Sequence, residues 1–180
     1  MAFPYKKALV KKKKEVDESL KVQASSLSVL FEPPTEDVKS QLTMLQFTVD
    51  DLKIMKALQP IVSKHLDEVT EHFYQVITQQ PSLLNMIEAN SEVEHLKQLL
   101  KTHVSELFAG EISAEFIEKR IRIAQAHVRI GLQNKWYLAA FQHLHNCLIA
   151  CLEQEIHHPE DLLLAVKVIG KFFCLSSSLL

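Results

Sequence analysis

The segment from residue 116 to residue 131 alternates between apolar and charged side chains with the period of an α-helix. Its polar members fall on one face of that helix, at Glu118, Arg122, Gln125 and Arg129. The opposite face is apolar and contains Phe116, Ile117, Ile123, Ala124, Ile130 and Gly131. A helix with one apolar stripe is stable only when other elements cover that stripe, so this segment predicts one packed helix of a globular fold.

Helix-starting signals recur along the chain, whereas signals for sheet turns are scarce. Thr35, Thr48 and Ser113 stand where N-cap residues are expected, and Pro81 and Pro159 stand where a first helical turn tolerates proline. Only three glycines occur in 180 residues, although tight turns between strands depend on glycine. The pattern predicts an all-α chain with about seven or eight helices joined by short turns.

Two internal signals predict boundaries within this all-α chain. Pro60 lacks a backbone N–H and is expected to end or kink the helix that starts at Thr48. Ser91 and Glu94 have the spacing of a capping box, which predicts another helix start at that point.

The chain is expected to divide into a tail and one domain. Residues 1–34 carry the run Lys11–Lys14 and are expected to form a flexible lysine-rich tail, ahead of a single domain at residues 35–180. Such a charge run is usually a solvated arm, and contact with a membrane or with nucleic acid is the minor alternative. The net charge of −2 does not indicate a nucleic-acid partner.

Cysteine usage and hydropathy predict the compartment. No secretory signal is visible at the start, and the most apolar later segment, Leu162–Leu175, is interrupted by Lys167 and Lys171. Three cysteines without such a signal are typical of reduced thiols, which predicts a cytoplasmic protein without a membrane span. The sequence has no glycine-rich phosphate loop and no arrangement for a serine or cysteine nucleophile, so we do not expect an enzyme.

His127 stands within the apolar stripe of the segment 116–131. A buried imidazole needs a partner for each ring nitrogen, because an unpaired polar group in an apolar site costs about 1–3 kcal/mol. One possible partner is a backbone carbonyl or another side chain, which the stripe alone favours. The other is a metal, for which the iron of a heme is the leading candidate.

A wider set of motifs accompanies His127. The run from Glu115 to Leu132 is followed by Asn134-Lys135-Trp136-Tyr137, and it is preceded by His72-Phe73-Tyr74 and by Leu96–His103. In this order and spacing the motifs resemble those of globin-coupled sensors, most closely the sensor domains of heme-based aerotactic transducers. The resemblance runs from about Asp37 to the C-terminus and implies a globin fold with an N-terminal pre-helix. It also implies a heme b cofactor, iron protoporphyrin IX.

The resemblance implies roles for individual residues. His127 would be the proximal iron ligand, Tyr137 would lie on the same side, and Tyr74 would donate a hydrogen bond to the bound gas. Leu99 stands where the transducers have a threonine, which leaves Tyr74 as the only clear donor. The residues expected to bind the cofactor are Phe73, Tyr74, Leu96, Leu99, Leu100, Ile123, His127 and Tyr137.

The function implied is an oxygen sensor that binds O2 reversibly at ferrous heme, with CO and NO as other candidate ligands. It would signal to a downstream aerotaxis or chemotaxis module. Two alternatives remain: a heme-free globin-like regulatory domain of the stressosome type, and a heme enzyme such as a nitric oxide dioxygenase. His127 and Tyr74 together argue against the first alternative, and the absence of a reductase segment argues against the second.

One further histidine and one further group of histidine and cysteine residues are candidate metal ligands. His103 lies on an apolar helix face and is interpreted as a satisfied core or edge histidine. His143, Cys147 and Cys151 follow one another at four-residue steps, but the outer two are separated by about 12 Å of helix rise. All three therefore cannot bind one zinc ion, and we interpret this face as buried or interfacial.

The last helix predicts self-association. It is apolar on nearly all sides, through Leu162, Leu163, Leu164, Val166, Val168, Ile169, Phe172, Phe173 and Leu175. A helix of this kind must be buried on more than one face. We therefore expect a homodimer through the last two helices, at Lys135–Glu155 and from Pro159 onward, as the resemblance also implies.

Overall fold

The computed structural model of the chain describes residues 19–177. Within that range the chain forms eight helices and one pair of two-residue strands, so the predicted all-α architecture is confirmed. The elements in chain order are α1 Leu20–Ser25, β1 Leu30–Phe31, α2 Glu36–Met44, α3 Val49–Ile77, α4 Pro81–Asn90, α5 Val93–Leu107, β2 Glu111–Ile112, α6 Ala114–Arg129, α7 Asn134–Glu155 and α8 Pro159–Ser177. The run Lys11–Lys14 lies outside the described residues.

Side-chain caps begin three of these helices where the sequence predicts. The Thr35 side chain accepts a hydrogen bond from a backbone N–H at the start of α2, and Ser113 does the same at the start of α6. Thr48 and Asp51 form a reciprocal capping box at the start of α3. Each such cap stabilises its helix by about 1 kcal/mol, because it satisfies a backbone donor that has no partner within the helix.

Two predicted boundaries are wrong. Helix α3 continues through Pro60 instead of ending there, because its apolar side is buried along most of its length and Pro60 itself faces solvent. The predicted capping box at Ser91 is absent: Ser91 closes α4 by donating its N–H to the Ile87 carbonyl, and Glu92 precedes α5 without a side-chain cap.

Helix α3 is the centre of the fold. It packs against α1, α5, α7 and α8, and α7 packs in turn against α8. The side chains that fill the space between these helices include Leu52, Met55, Leu58, Val104, Leu107, Phe108, Leu148, Leu152, Ile169 and Phe172. Helix α6, by contrast, makes its main close backbone approach to β2. Along the described residues, no helix combines the length and the hydropathy that crossing a bilayer requires.

The structure differs from the predicted flexible tail over residues 19–34. Leu20 and Ala24 are buried in the core, and the Leu20 N–H donates to Asp161 Oδ2 at 3.1 Å. Strand β1 pairs in parallel with β2, with Phe31 opposite Ile112. The lysine run ends before this segment, whose apolar residues Leu20, Ala24, Val29 and Phe31 pack into or against the core.

Candidate functional site

His127 lies in the last turn of α6 and is half-buried. Its Nδ1 is 2.9 Å from the carbonyl oxygen of Ile123. A carbonyl oxygen only accepts, so Nδ1 carries the proton and Nε2 keeps a free lone pair. Burial lowers the pKa of His127 below its ordinary value, and the bond to Ile123 opposes this shift. At neutral pH the side chain is therefore a neutral imidazole with Nε2 available to a ligand.

A glycine lies four residues after His127, just beyond the end of α6. Gly131 has a φ of +79°, and the Leu132 N–H donates to the His127 carbonyl at 3.0 Å. Side chains other than glycine adopt this left-handed conformation only with strain, so the turn depends on Gly131 although the space around it is open. The turn directs the chain into α7, whose first turn carries Tyr137.

Tyr137 contacts His127 across this turn. The two ring centroids are 5.4 Å apart, and the ring planes meet at 65°. Tyr137 is itself nearly buried and stacks on Phe141 with centroids 5.5 Å apart. Burial raises the pKa of Tyr137, and the charge of Arg120 opposes that shift. The contact restricts the orientation of the His127 ring, and it brings together two of the residues expected to form the site.

A buried cation lies two turns before His127 on the same helix. Arg120 is 3% exposed, and its Nη2 donates to Glu106 Oε2 at 2.5 Å. Its guanidinium lies 4.7 Å from the centre of the Phe116 ring. Its Nη1 donates to His103 Nδ1, whereas its Nε has no partner among the described residues. Burial lowers the pKa of Arg120, and Glu106 opposes that shift.

His103 is an acceptor in this cluster, which confirms its interpretation as a satisfied histidine. Burial, followed by the charges of Arg120, His127 and Lys119, lowers the pKa of His103 to about 3. Arg120 and Glu106 were not among the residues expected from the sequence. The signal was present, because Arg120 precedes Ala124 and His127 by four and seven residues and so shares their helix face.

Tyr74 lies on α3, beside Phe73 in the sequence. Phe73 meets it edge-on with ring centroids 5.1 Å apart. Burial raises the pKa of Tyr74 to about 12, so the hydroxyl keeps its proton. Among residues 19–177, no hydrogen bond uses this hydroxyl, and none joins the Phe73–Tyr74 pair to the His127–Tyr137 pair. The structure thus divides the expected aromatic residues into two separate pairs.

The apolar residues expected to line the site are only partly covered. Leu99 is 52% exposed on α5, and Leu96, Leu100 and Ile123 are half-buried. At the other ends of α5 and α6 the apolar residues are fully buried, as at Leu107, Phe108 and Ile117. The predicted apolar face of α6 is also corrected at its C-terminal end, where Ile130 and Gly131 are exposed.

These observations fit a flat, apolar cofactor with a central metal. His127 supplies one nitrogen donor, because its Nδ1 is already occupied by a carbonyl. Leu99 supplies a half-exposed apolar side chain, and Tyr74 supplies a protonated hydroxyl that has no hydrogen-bond partner among residues 19–177. The residues present are therefore compatible with a heme held from the His127 side.

Comparison with known proteins supports the same fold. The family model described as Protoglobin matches residues 35–180. The globin domain of the Geobacter sulfurreducens globin-coupled sensor is similar in structure, with a TM-score of 0.74 at 19% sequence identity. That match covers 78% of this chain and 93% of the Geobacter chain. The expected globin fold and the resemblance to globin-coupled sensors are confirmed, and a special closeness to the aerotactic transducers stays a prediction.

Proposed function

This chain belongs to the protoglobin family, and on that premise we propose that it is a heme-based gas sensor domain. His127 would hold the iron through Nε2. The observation that carries this proposal is the bond from His127 Nδ1 to the Ile123 carbonyl. Histidines that bind metals commonly donate their second ring nitrogen in this way, which fixes the tautomer and the ring orientation. When bound, heme b supplies a ferrous iron that binds small diatomic gases.

Tyr74 supports oxygen as the gas. Its hydroxyl keeps its proton because burial raises its pKa to about 12, and no group among the described residues competes for that proton. The Tyr74 hydroxyl would therefore favour a gas that develops partial negative charge when held, as O2 does and CO does much less. Leu99 offers no second donor, so discrimination between the two gases would depend on Tyr74 alone.

The expected apolar residues would form the walls of the heme site. Phe73, Leu96, Leu99, Leu100 and Ile123 would contact the porphyrin and exclude water from the iron. Reversible gas binding requires ferrous iron, and exclusion of water slows the oxidation of that iron. Tyr137 would hold the His127 ring at a defined angle.

A groove between α7 and α8 supports a homodimer. Its volume is about 320 Å³, and its lining residues are Leu138, Phe141, Gln142, His145, Gly170, Phe173 and Cys174. Leu138 is 54% exposed, and His145 Nε2 is buried without a partner among the described residues. A second copy seated on this groove would cover the apolar side chain and satisfy the imidazole.

Helix α8 is less exposed than its apolar sequence predicts. Most of its apolar residues are already buried within one chain, and among its large apolar residues only Leu163 is more than half exposed in the part the structure describes. The expected dimer therefore depends on the groove and not on α8 as a whole. Helix α7 carries both Tyr137 and the groove residue Leu138, which would give gas binding a route to the dimer interface. The proposed output is a downstream aerotaxis or chemotaxis module in the cytoplasm.

The absorption spectrum of the purified chain tests the proposal. We expect a Soret band that shifts on reduction with dithionite and again on addition of O2. The His127→Ala variant should lose stable heme, whereas His95→Ala, at an exposed histidine of α5, should keep it. A wild-type chain without heme would support the heme-free regulatory alternative. Rapid turnover of nitric oxide by the oxygenated protein would support the dioxygenase alternative.

A further inference from the structure

A second group of potential metal ligands lies between α3 and α7, apart from His127. It consists of His72 on α3 and of His143 and Cys147 on α7. One nitrogen or sulfur atom of each residue lies within 4.8 Å of the corresponding atom of the other two. The rings of His72 and His143 have centroids 5.4 Å apart, and Cys147 Sγ is 3.8 Å from His143 Nε2.

The ligand atoms of this group lie close enough together to bind one ion, unlike the three residues that follow one another along α7. His143, Cys147 and Cys151 cannot bind one ion, because the outer two are about 12 Å apart along the helix. The packing of α3 on α7 brings His72 to the His143–Cys147 pair instead. Two ligands from adjacent turns of one helix and a third from a neighbouring helix can then surround a single point.

The distances suit a tetrahedral ion. With bonds of about 2.0 Å to nitrogen and about 2.3 Å to sulfur, a nitrogen and a sulfur ligand of a tetrahedral zinc site lie about 3.6 Å apart and two nitrogens about 3.3 Å apart. The His143–Cys147 distance of 3.8 Å is already close to the first of these values. Any ligand pair near the 4.8 Å limit would have to close by roughly 1–1.5 Å. His72 is only half-buried, so its ring can turn to make this adjustment.

We propose that His72, His143 and Cys147 bind a divalent zinc ion, with water in the fourth position. Two imidazoles and a thiolate bind borderline-soft ions such as zinc in preference to Mg²⁺ or Ca²⁺, which take oxygen ligands. Binding replaces the S–H bond of Cys147 by a sulfur–zinc bond, and the proton passes to solvent. No oxidant or reductant is needed.

The surroundings are compatible with this chemistry. Burial, and then the neighbouring His72, lowers the pKa of His143, while a backbone hydrogen bond of His72 opposes that shift. His143 is therefore neutral at physiological pH. Its ring also stacks on Phe73, with centroids 5.9 Å apart and planes 18° apart. Packing thus limits the movement of one ligand, and burial of Cys147 shields the sulfur from solvent.

Equilibrium dialysis of the purified chain, residues 1–180, against zinc, followed by elemental analysis of the bound metal, tests the site. We expect one zinc ion per chain. His72→Ala and Cys147→Ser should each weaken binding by about 100-fold or more, because each removes one of three protein ligands. The matched control is His95→Ala, at an exposed histidine, and it should bind zinc as the wild type does.

Two further measurements separate this site from its alternatives. Zinc-edge X-ray absorption should show one sulfur at about 2.3 Å and two nitrogens at about 2.0–2.1 Å. Cys151→Ala should leave zinc binding unchanged, and so should His127→Ala, which separates this proposal from the proposed heme site. Circular dichroism checks that each variant is folded. If His72→Ala is unfolded, His72→Gln replaces it in the measurement. Equal zinc affinity in a folded His72 variant and the wild type, or zinc without a sulfur ligand, would overturn the proposal.

Discussion

The Tyr137 ring meets the His127 imidazole at 65°, with the two centroids 5.4 Å apart. This contact joins the end of α6 to the start of α7 across the turn at Gly131. Because Tyr137 is nearly buried and stacks on Phe141, a movement of the imidazole cannot be absorbed by a free tyrosine side chain. Such a movement would therefore act on α7, whose next exposed residue, Leu138, lines the groove against α8.

The first prediction concerns oxygen release. Tyr74→Phe would remove the proposed hydrogen bond to the gas, which would be partly charge-assisted and worth about 1.5–3 kcal/mol. The O2 dissociation rate, measured by stopped-flow mixing, should therefore rise by roughly tenfold or more. Carbon monoxide release from the same variant is the internal control and should change much less. Unchanged O2 kinetics would mean that Tyr74 does not reach the bound gas.

The second prediction concerns the buried cation. Arg120→Ala removes the donor to Glu106 Oε2 and to His103 and the guanidinium packed on Phe116, whereas Lys119 still pairs with Glu106 Oε1. Loss of a charged donor to partly buried groups typically costs about 1–3 kcal/mol. The free energy of unfolding, measured by urea titration, should fall by about that amount. Arg122→Ala, on the exposed face of α6, should change it by about 0.5 kcal/mol or less. Similar losses in the two variants would contradict the assignment.

The third prediction concerns acid stability. The pKa of His103 is about 3 in the folded chain, whereas it returns to about 6.5 on unfolding. Between these values the unfolded chain binds more protons than the folded chain. The contribution of His103 is therefore fully present above pH 6.5 and is lost as the pH falls toward 3. The free energy of unfolding should fall with a slope approaching about 1.4 kcal/mol per pH unit from this group.

Urea titrations at several pH values between 4 and 7 measure that slope. His103→Gln keeps a hydrogen-bond acceptor for Arg120 and lacks the titrating ring, so its slope should be shallower than that of the wild type. His157→Gln, at an exposed histidine beyond α7, is the matched control and should keep the wild-type slope. A His103→Gln slope equal to that of the wild type would show that other groups account for the acid sensitivity.

The fourth prediction concerns self-association. Leu138→Glu places a carboxylate in the groove between α7 and α8, where a second copy would have to desolvate it. We expect the dimer dissociation constant, measured by sedimentation equilibrium, to rise by at least about tenfold. Met44→Glu changes an apolar residue on α2 that is more exposed than Leu138, and it should leave association unchanged. A wild-type chain that sediments as a monomer at micromolar concentration would exclude the proposed dimer.

Local signals determined much of the fold. Thr35, Thr48 and Ser113 begin helices as predicted, because a cap bonds to a backbone group only three residues away. His127 could be selected for a related reason, since its helix face follows from the spacing of its neighbours. Interactions of this range depend little on the rest of the chain.

Tertiary packing decided what local patterns could not. Helix α3 continues through Pro60 because burial of its other side outweighs the lost hydrogen bond, although the local preference is to break. The partner of Arg120 lies 14 residues away, and the pairing of His72 with His143 spans two helices. Such contacts depend on how whole helices pack, and that packing is set by the summed burial of many side chains. The sequence therefore determined the helices and the face that bears His127, whereas only the tertiary structure decided which polar groups meet between them.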